Sequence, residues 1–275
     1  MHKSKTGKEY WDNIKEDIID LYANKGWSTT KIGEKYNCYG STIAYKLKEF
    51  GIPIRKKRYN AIYKLNINYF DDINTEHKAY WLGFLLADGH INDKGIHLGL
   101  QKRDEYMIQK FLDDLECNIP IKYNKDGNPC VIIISKDLCR RLMTIGFNHR
   151  KSYSLDFEKI LNNIPDNLLN HFIRGMFDGD GCVKRYSYSY LKKPQYHLGY
   201  TGLLNVCEYI KEIFHIDRKL VKEGEYTYTI ITRNPKIINE AFNFMYDNAT
   251  IYMIRKKQIF DDIKMETFND YNKRT

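Results

Sequence analysis

Asp88 and Asp180 are the residues of this 275-residue chain whose type and placement most directly suggest chemistry. Each ends a helix-like apolar run and is followed at once by glycine, in "WLGFLLADG" (81–89) and "IRGMFDGDG" (173–181). A helix C-terminus carries about half a negative charge, so a carboxylate there is electrostatically disfavoured. Two such ends side by side call for a cation, and a divalent metal is the economical answer. Metals clamped between two carboxylates suit phosphodiester hydrolysis, which needs a nucleophilic water and neutralised phosphoryl oxygens. Lysines nearby would add transition-state stabilisation. No Ser-His-Asp or Cys-His set competes with this scheme.

The elements that must position the two acids are the runs themselves. On a helix, residues four apart share a face. Gly83 with Ala87, and Gly175 with Gly179, therefore form two small-residue stripes that let helix backbones approach closely. Core helices with convenient glycines would share that feature, but they would not explain the terminal acids. Asp178 is the alternative acid in the second run, but Leu86 stands at its counterpart in the first. Positions two apart on a helix point differently, so Asp88 and Asp180 are the expected metal ligands.

The region around the acids occurs twice. After each Asp-Gly comes a strand-like stretch containing "HLG", at 97–99 and 197–199, and then an amphipathic helix, "DEYMIQKFLDDL" or "VCEYIKEIF". A hairpin pattern with an Asp-Gly or Glu-Gly turn follows, then a helix, then an Arg-Lys pair at 150–151 and 255–256. The offsets between copies grow in order (180 − 88 = 92, 197 − 97 = 100, 256 − 151 = 105), as loop insertions in the second copy would make them. Each copy reads helix, strand, strand, helix, strand, strand, helix. The predicted class is α+β, with two pseudo-twofold-related αββαββα repeats at 76–165 and 166–275. In "GIHLGLQ", alternation assigns Ile96, Leu98 and Leu100 to a core and leaves His97, Gly99 and Gln101 on the open face. In "VKRYSYSY", which contains Lys184 and Arg185, polar residues fall on both faces.

Residues 1–58 read as a separate all-α module. "DIIDLYANKG" suggests one helix, "STTKIGEKY" a second capped at Ser28 or Thr29, and "STIAYKLKEFGI" a third starting from Ser41 or Thr42 and stopping at Gly51. Helix, short turn and second capped helix with Lys46 and Lys48 is the helix-turn-helix pattern, although any three-helix bundle shares most of it. The basic stretch 59–75 is expected as a linker. Arg55, Lys56, Lys57 and Arg58 just before it would lie along DNA.

Net charge is +9 and pI near 9.0, a balance that suits a nucleic-acid partner. Hydrophobic content of 43% supports a core and excludes a disordered chain. Six scattered cysteines without a CxxC pair read as free thiols. The N-terminus lacks an apolar signal region, and the longest clean apolar run, 81–87, is far short of the ~20 residues a membrane span needs. A soluble, cytoplasmic protein is expected.

The two nine-residue runs resemble the paired motifs of LAGLIDADG homing endonucleases in their two-motif, single-chain form, over roughly residues 76–265. That resemblance implies a saddle of two four-stranded antiparallel sheets over double-stranded DNA with a long asymmetric target. It implies a monomer in which Asp88 and Asp180 bind Mg²⁺, with Mn²⁺ as a substitute. Gln101 matches a polar position late in the family's second strand, and Thr201 is its counterpart. Lys151 and Lys256 match a basic residue after the third helix of each repeat. Ser41, Thr42, Lys46, Lys48, His97, Gln101, Lys184, Arg185 and Thr201 complete the expected DNA contacts. The first motif lacks an inner Asp, having Leu86, and the second carries Arg174 at a usually small or apolar position, so the helix interface is asymmetric. A non-cleaving DNA-binding regulator and an intron-RNA maturase on the same fold are the alternatives. An RNA-binding structural protein is a third, for which only charge and tyrosines speak.

Overall fold

The computed structural model describes residues 7–54, 63–148, 155–187 and 194–272. The chain divides into two compact units, Met1–Tyr59 and Asn60–Thr275.

The first unit contains helices α1 (Lys8–Asn13), α2 (Lys15–Ala23), α3 (Thr29–Lys35) and α4 (Gly40–Glu49). Trp11, Ile18, Leu21, Tyr22, Ile32, Ile43 and Leu47 form its core. The Ser28 hydroxyl caps α3 by accepting from Lys31 N at 3.1 Å, satisfying one of the orphan amides of the first turn. A four-residue turn (36–39) follows, in which Asn37 takes φ 53°. Helices α3 and α4 then meet closely, because a β-carbon on Gly33 would lie 2.5 Å from Cys38 O. Two expectations are corrected here. Helix α1 precedes the first expected helix, and α4 starts at Gly40 with Tyr39 as its cap residue, so Ser41 and Thr42 are inside the helix rather than capping it.

The second unit begins with chain that sequence reading assigned to a linker. Tyr69, Phe70 and Ile73 are buried in its core, and Asn66 N donates to Leu115 O at 2.9 Å. Residues 64–75 therefore belong to the folded body. Helix α5 (Glu76–Ala87) follows, then β1 (His90–Ile91), β2 (Gly95–Gly99), α6 (Glu105–Asp114), β3 (Lys122–Tyr123), β4 (Pro129–Ile134) and α7 (Lys136–Ile145). A short α8 (Phe157–Leu161) leads to the second copy: α9 (Leu169–Asp180), β5 (Gly181–Tyr186), β6 (Gln195–Gly202), α10 (Leu204–Ile213), β7 (Val221–Lys222), β8 (Tyr228–Thr232) and α11 (Pro235–Tyr246). Helix α12 (Ile254–Asn272) closes the chain.

Each copy builds one antiparallel four-stranded sheet, ordered β1-β2-β4-β3 and β5-β6-β8-β7. In β2, Ile96 and Leu98 are buried while His97 and Gly99 are exposed, as the alternation requires. In β6, Tyr196, Leu198 and Tyr200 take the buried places. The amphipathic helices α6, α7, α10 and α11 contribute Met107, Phe111, Leu138, Leu142, Val206, Ile210, Ile238 and Met245 to the same core.

Helices α5 and α9 make the most extensive contact between any two elements of the described residues. Helix α5 is apolar all round, and every residue from Ala79 to Leu86 is buried, as expected of a central helix. No described helix is long and apolar enough to cross a membrane.

Candidate metal centre and nucleic-acid interface

The closeness of α5 and α9 follows from the small-residue stripes. A β-carbon on Gly83 would fall 2.1 Å from Phe172 O and 2.9 Å from Met176 N. One on Gly175 would fall 2.0 Å from Tyr80 O and 2.9 Å from Phe84 N. The contacts are reciprocal, since 80 + 92 = 172 and 84 + 92 = 176, which is the pattern a twofold arrangement produces. One turn further on, a β-carbon on Gly179 would lie 2.3 Å from that of Ala87 and 3.4 Å from Asp88 N. Helix-to-helix contact therefore persists up to the two aspartates.

Asp88 terminates α5 and Asp180 is the last residue of α9. Both are exposed, although the helices behind them are buried from Ala79 to Leu86 and from Phe172 to Asp178. Tyr200 on β6 is fully buried. Its hydroxyl is pushed well above its ordinary range by that burial first, and then by the charges of Asp180, Cys207 and Asp88. Asp180 also borders a cleft of about 250 Å³ with Leu86, Ala87, Tyr200, Thr201 and Tyr226.

Lys256 lies beneath the end of α9. Its Nζ donates to Phe177 O at 2.7 Å, Gly179 O at 3.1 Å and Gly181 O at 2.7 Å. All three ammonium hydrogens are thus committed to carbonyls at the end of α9, where the dipole is negative. Burial brings its pKa down to about 8, with Asp178, Asp88 and Asp180 pulling the other way. This cation offsets part of the charge that sequence reasoning assigned wholly to a metal. Two carboxylates and one ammonium still leave a net negative centre.

Asp178 is fully buried. It accepts Tyr80 OH at 2.8 Å, Tyr246 OH at 2.6 Å and Met253 N at 2.7 Å. Burial raises its pKa, against the lowering effect of those bonds and of Lys256. Arg174, also fully buried, donates to Glu76 Oε1 at 2.6 Å, Met245 O at 2.6 Å and Ile251 O at 2.8 Å. Their counterparts in the first copy, Leu82 and Leu86, are apolar. One side of the helix pair is therefore held by a hydrogen-bonded network and the other by hydrocarbon. The sequence marks Arg174 as a departure from the motif and Asp178 as the alternative acid, and shows no partner for either; Tyr80 and Glu76 are the residues that supply them.

The other expected site residues are distributed as follows. Thr201 is on the exposed face of β6, paired with Thr229 through hydroxyls 2.8 Å apart, and borders the Asp180 cleft. Strand β2 stops at Gly99, so Gln101 sits just beyond it, exposed, at the start of a 3₁₀ turn (Lys102–Asp104) rather than in the strand. Its strand-based placement is corrected: Leu100 N still donates to Pro129 O, in register with the Gly99–Cys130 pair, and Gln101 is the residue at which the chain leaves the ladder for the 3₁₀ turn. Lys184 pairs with His197 across β5 and β6, and both are on the open face. Arg185 alternates away from them and donates to Ser187 Oγ at 2.9 Å. In the first unit, Ser41 and Lys48 are exposed, and Thr42 is half-buried. Lys46 is held by Glu49 at 2.8 Å and by the Trp11 ring 5.5 Å away. Arg55, Lys56, Lys57, Arg58 and Lys151 lie outside the described residues.

Among the described residues no group of three or more His, Cys, Asp or Glu is placed to hold a metal ion. The donor set at the helix ends is a pair of exposed carboxylates. That set fits a hard divalent cation whose remaining positions are filled by water and by substrate oxygens.

No family model matches the sequence. A stretch of 118 residues, 41% of this chain, is 25% identical to the replication factor C small subunit of Methanocaldococcus jannaschii, and the match spans only 6% of that protein. Among solved structures, the fold is similar to the meganuclease I-SmaMI bound to uncleavable DNA (TM-score 0.54, 12% identity, 73% of this chain and 91% of that one). It is also similar to I-SmaMI on an uncleaved DNA target in the presence of calcium ions (0.52, 12%, 73% and 93%). The LAGLIDADG homing endonuclease I-GzeII in complex with its DNA target matches at 0.51 (14%, 72% and 92%). Over about seven-tenths of the chain the fold is that of the LAGLIDADG meganucleases.

Proposed function

We propose that this chain is a sequence-specific double-strand DNA endonuclease of the homing type. The observation that carries the reading is the meeting of Asp88 and Asp180. One exposed carboxylate from each copy stands at the end of two helices packed backbone to backbone. A protein that only bound DNA would gain nothing from two carboxylates facing an anionic partner.

Asp88 and Asp180 would hold Mg²⁺, with Mn²⁺ as a substitute, and the bound ion would supply an acidified water and neutralisation of phosphoryl oxygens. Lys256 fixes the end of α9, and hence Asp180, by engaging three carbonyls. The hydroxyl of Tyr200 stays protonated and buried next to both acids. Thr201 and Gln101 would present polar groups near the reacting phosphate, and Lys151 would take the basic position in the first copy. The open faces of the two sheets would lie in successive major grooves, which fits a long, asymmetric site read by one monomer.

The first unit supports a helix-turn-helix reading. Helices α3 and α4 are joined by a four-residue turn with Asn37 at positive φ, and Gly33 allows their close approach. Helix α4 would place Tyr39, Ser41 and Thr42 towards base edges and Lys48 near a phosphate.

Incubating the full-length chain with a plasmid library in Mg²⁺ and sequencing the cut ends tests the proposal. A single recurrent cut sequence is expected. Intact plasmids across the metal series would contradict it.

A further inference from the structure

The open faces of the two sheets carry the same histidine in chemically opposite company. In the first sheet, His90 pairs with His97, which pairs with Ile132, making one row across three strands. All three are exposed, Ile132 by 51%, and Ile134 two residues on is 36% exposed. In the second sheet the matching histidine of "HLG" is His197, which pairs with Lys184. Arg233 follows Thr232, the last residue of β8 and the partner of Leu198, and its charge acts on the His197 ring. The row His90–His97–Ile132 thus corresponds to the Lys184–His197 pair with Arg233 just beyond the end of β8. Lys184, Arg233 and nearby Arg218 are exposed, and all three act electrostatically on the His197 ring.

The two rows differ in what they can recognise. An exposed isoleucine on a sheet surface has no hydrogen bond to offer, but its methyl groups match the thymine C5 methyl in a major groove. An arginine or lysine in the same place donates to guanine O6 and N7, the commonest specific contact to a base. Burial, and then the fields of Arg233, Arg218 and Lys184, hold His197 below its ordinary pKa, so the ring is neutral at physiological pH. Its Nε2 is buried and has no hydrogen-bond partner among the described residues. The ring packs tilted against Tyr186, with 4.4 Å between centroids and 43° between the planes.

Resting on the endonuclease reading, we propose that the two halves of the target are read by different chemistry. The half under the first sheet carries thymine opposite Ile132 and Ile134. The half under the second carries guanine opposite Lys184 and Arg233. The site is asymmetric in base class, not merely in sequence.

The test is selection of full-length protein on a randomised duplex library in Ca²⁺, repeated with Ile132→Ala and Arg233→Ala. Both positions are exposed, so folding should survive, and matching melting curves would confirm that it does. Wild type should enrich a consensus with thymine in one half and guanine in the other. Ile132→Ala should lose thymine preference at one or two positions of the first half only, and Arg233→Ala should lose guanine preference, roughly tenfold, in the second half only. A consensus unchanged in both variants, or losses confined to the same half, would overturn the assignment while leaving the DNA-binding reading intact. No enrichment by the wild type would instead remove the reading on which it rests.

Discussion

Gly83 and Gly175 press against each other's helices so tightly that neither position has room for a β-carbon. On Gly83 that atom would lie 2.1 Å from Phe172 O, and on Gly175 2.0 Å from Tyr80 O. The obstacles are main-chain carbonyls rather than flexible side-chain ends, so the helices themselves must separate. Gly83→Ala and Gly175→Ala should each destabilise the protein by about 1–3 kcal/mol or more. Cleavage should fall with stability, because the same packing places Asp88 beside Gly179. Thermal unfolding checks this, and a variant as stable as wild type would show that the helices do not meet at these glycines.

Lys256 is expected to be needed for stability as well as for activity. Replacing it with methionine would leave the carbonyls of Phe177, Gly179 and Gly181 without their buried donor, a loss of roughly 1–3 kcal/mol. Urea titration of Lys256→Met measures it. Unchanged stability would mean that the ammonium does not cap α9.

The pair His77 and Asp114 makes a pH-dependent contribution. The hydrogen bond to Asp114, 2.7 Å away, raises the His77 pKa above 6.5 despite partial burial. A raised histidine pKa stabilises the fold fully below 6.5, and the gain disappears as pH rises through the folded value. His77→Gln should therefore lower stability near pH 5 and change it little near pH 9. With the ring 40% exposed, the effect should stay under about 1 kcal/mol. Equal losses at both pH values would contradict this.

The first unit should add affinity without adding chemistry. Deleting residues 1–59 should weaken DNA binding and flatten its salt dependence, since fewer phosphate contacts release fewer counterions. Cleavage at saturating protein should persist, because Asp88, Asp180 and Lys256 all belong to the second unit. A footprint of unchanged length would show that this unit does not touch DNA.

How much of this was legible in the sequence depended on repetition and on locality. The acid pair and the small-residue stripes were readable because the chain presents them twice in register, and the order of strands and helices was readable for the same reason. The partners of Lys256 were not. They are main-chain carbonyls 75 to 79 residues away, and a carbonyl leaves no residue-type signal. Tyr69, Phe70 and Ile73 passed for linker because they enter the core from irregular turns, without the period of a helix or strand. Helix α1, six residues long, is too short to show periodicity. Extending the alternation of β2 places Gln101 in the strand, but it is the residue that opens the 3₁₀ turn after the strand ends.

The central claim is that Asp88 and Asp180 together make a metal-dependent cutting site. The most direct measurement is cleavage, in Mg²⁺, of the duplex recovered from the plasmid library by wild type, Asp88→Asn and Asp180→Asn, with binding followed in parallel. Each exposed carboxylate can become an amide without disturbing the packed helix faces behind it. Both variants should keep nearly full affinity and lose double-strand cleavage by orders of magnitude. Cleavage of both strands by either variant at the wild-type rate would contradict the account.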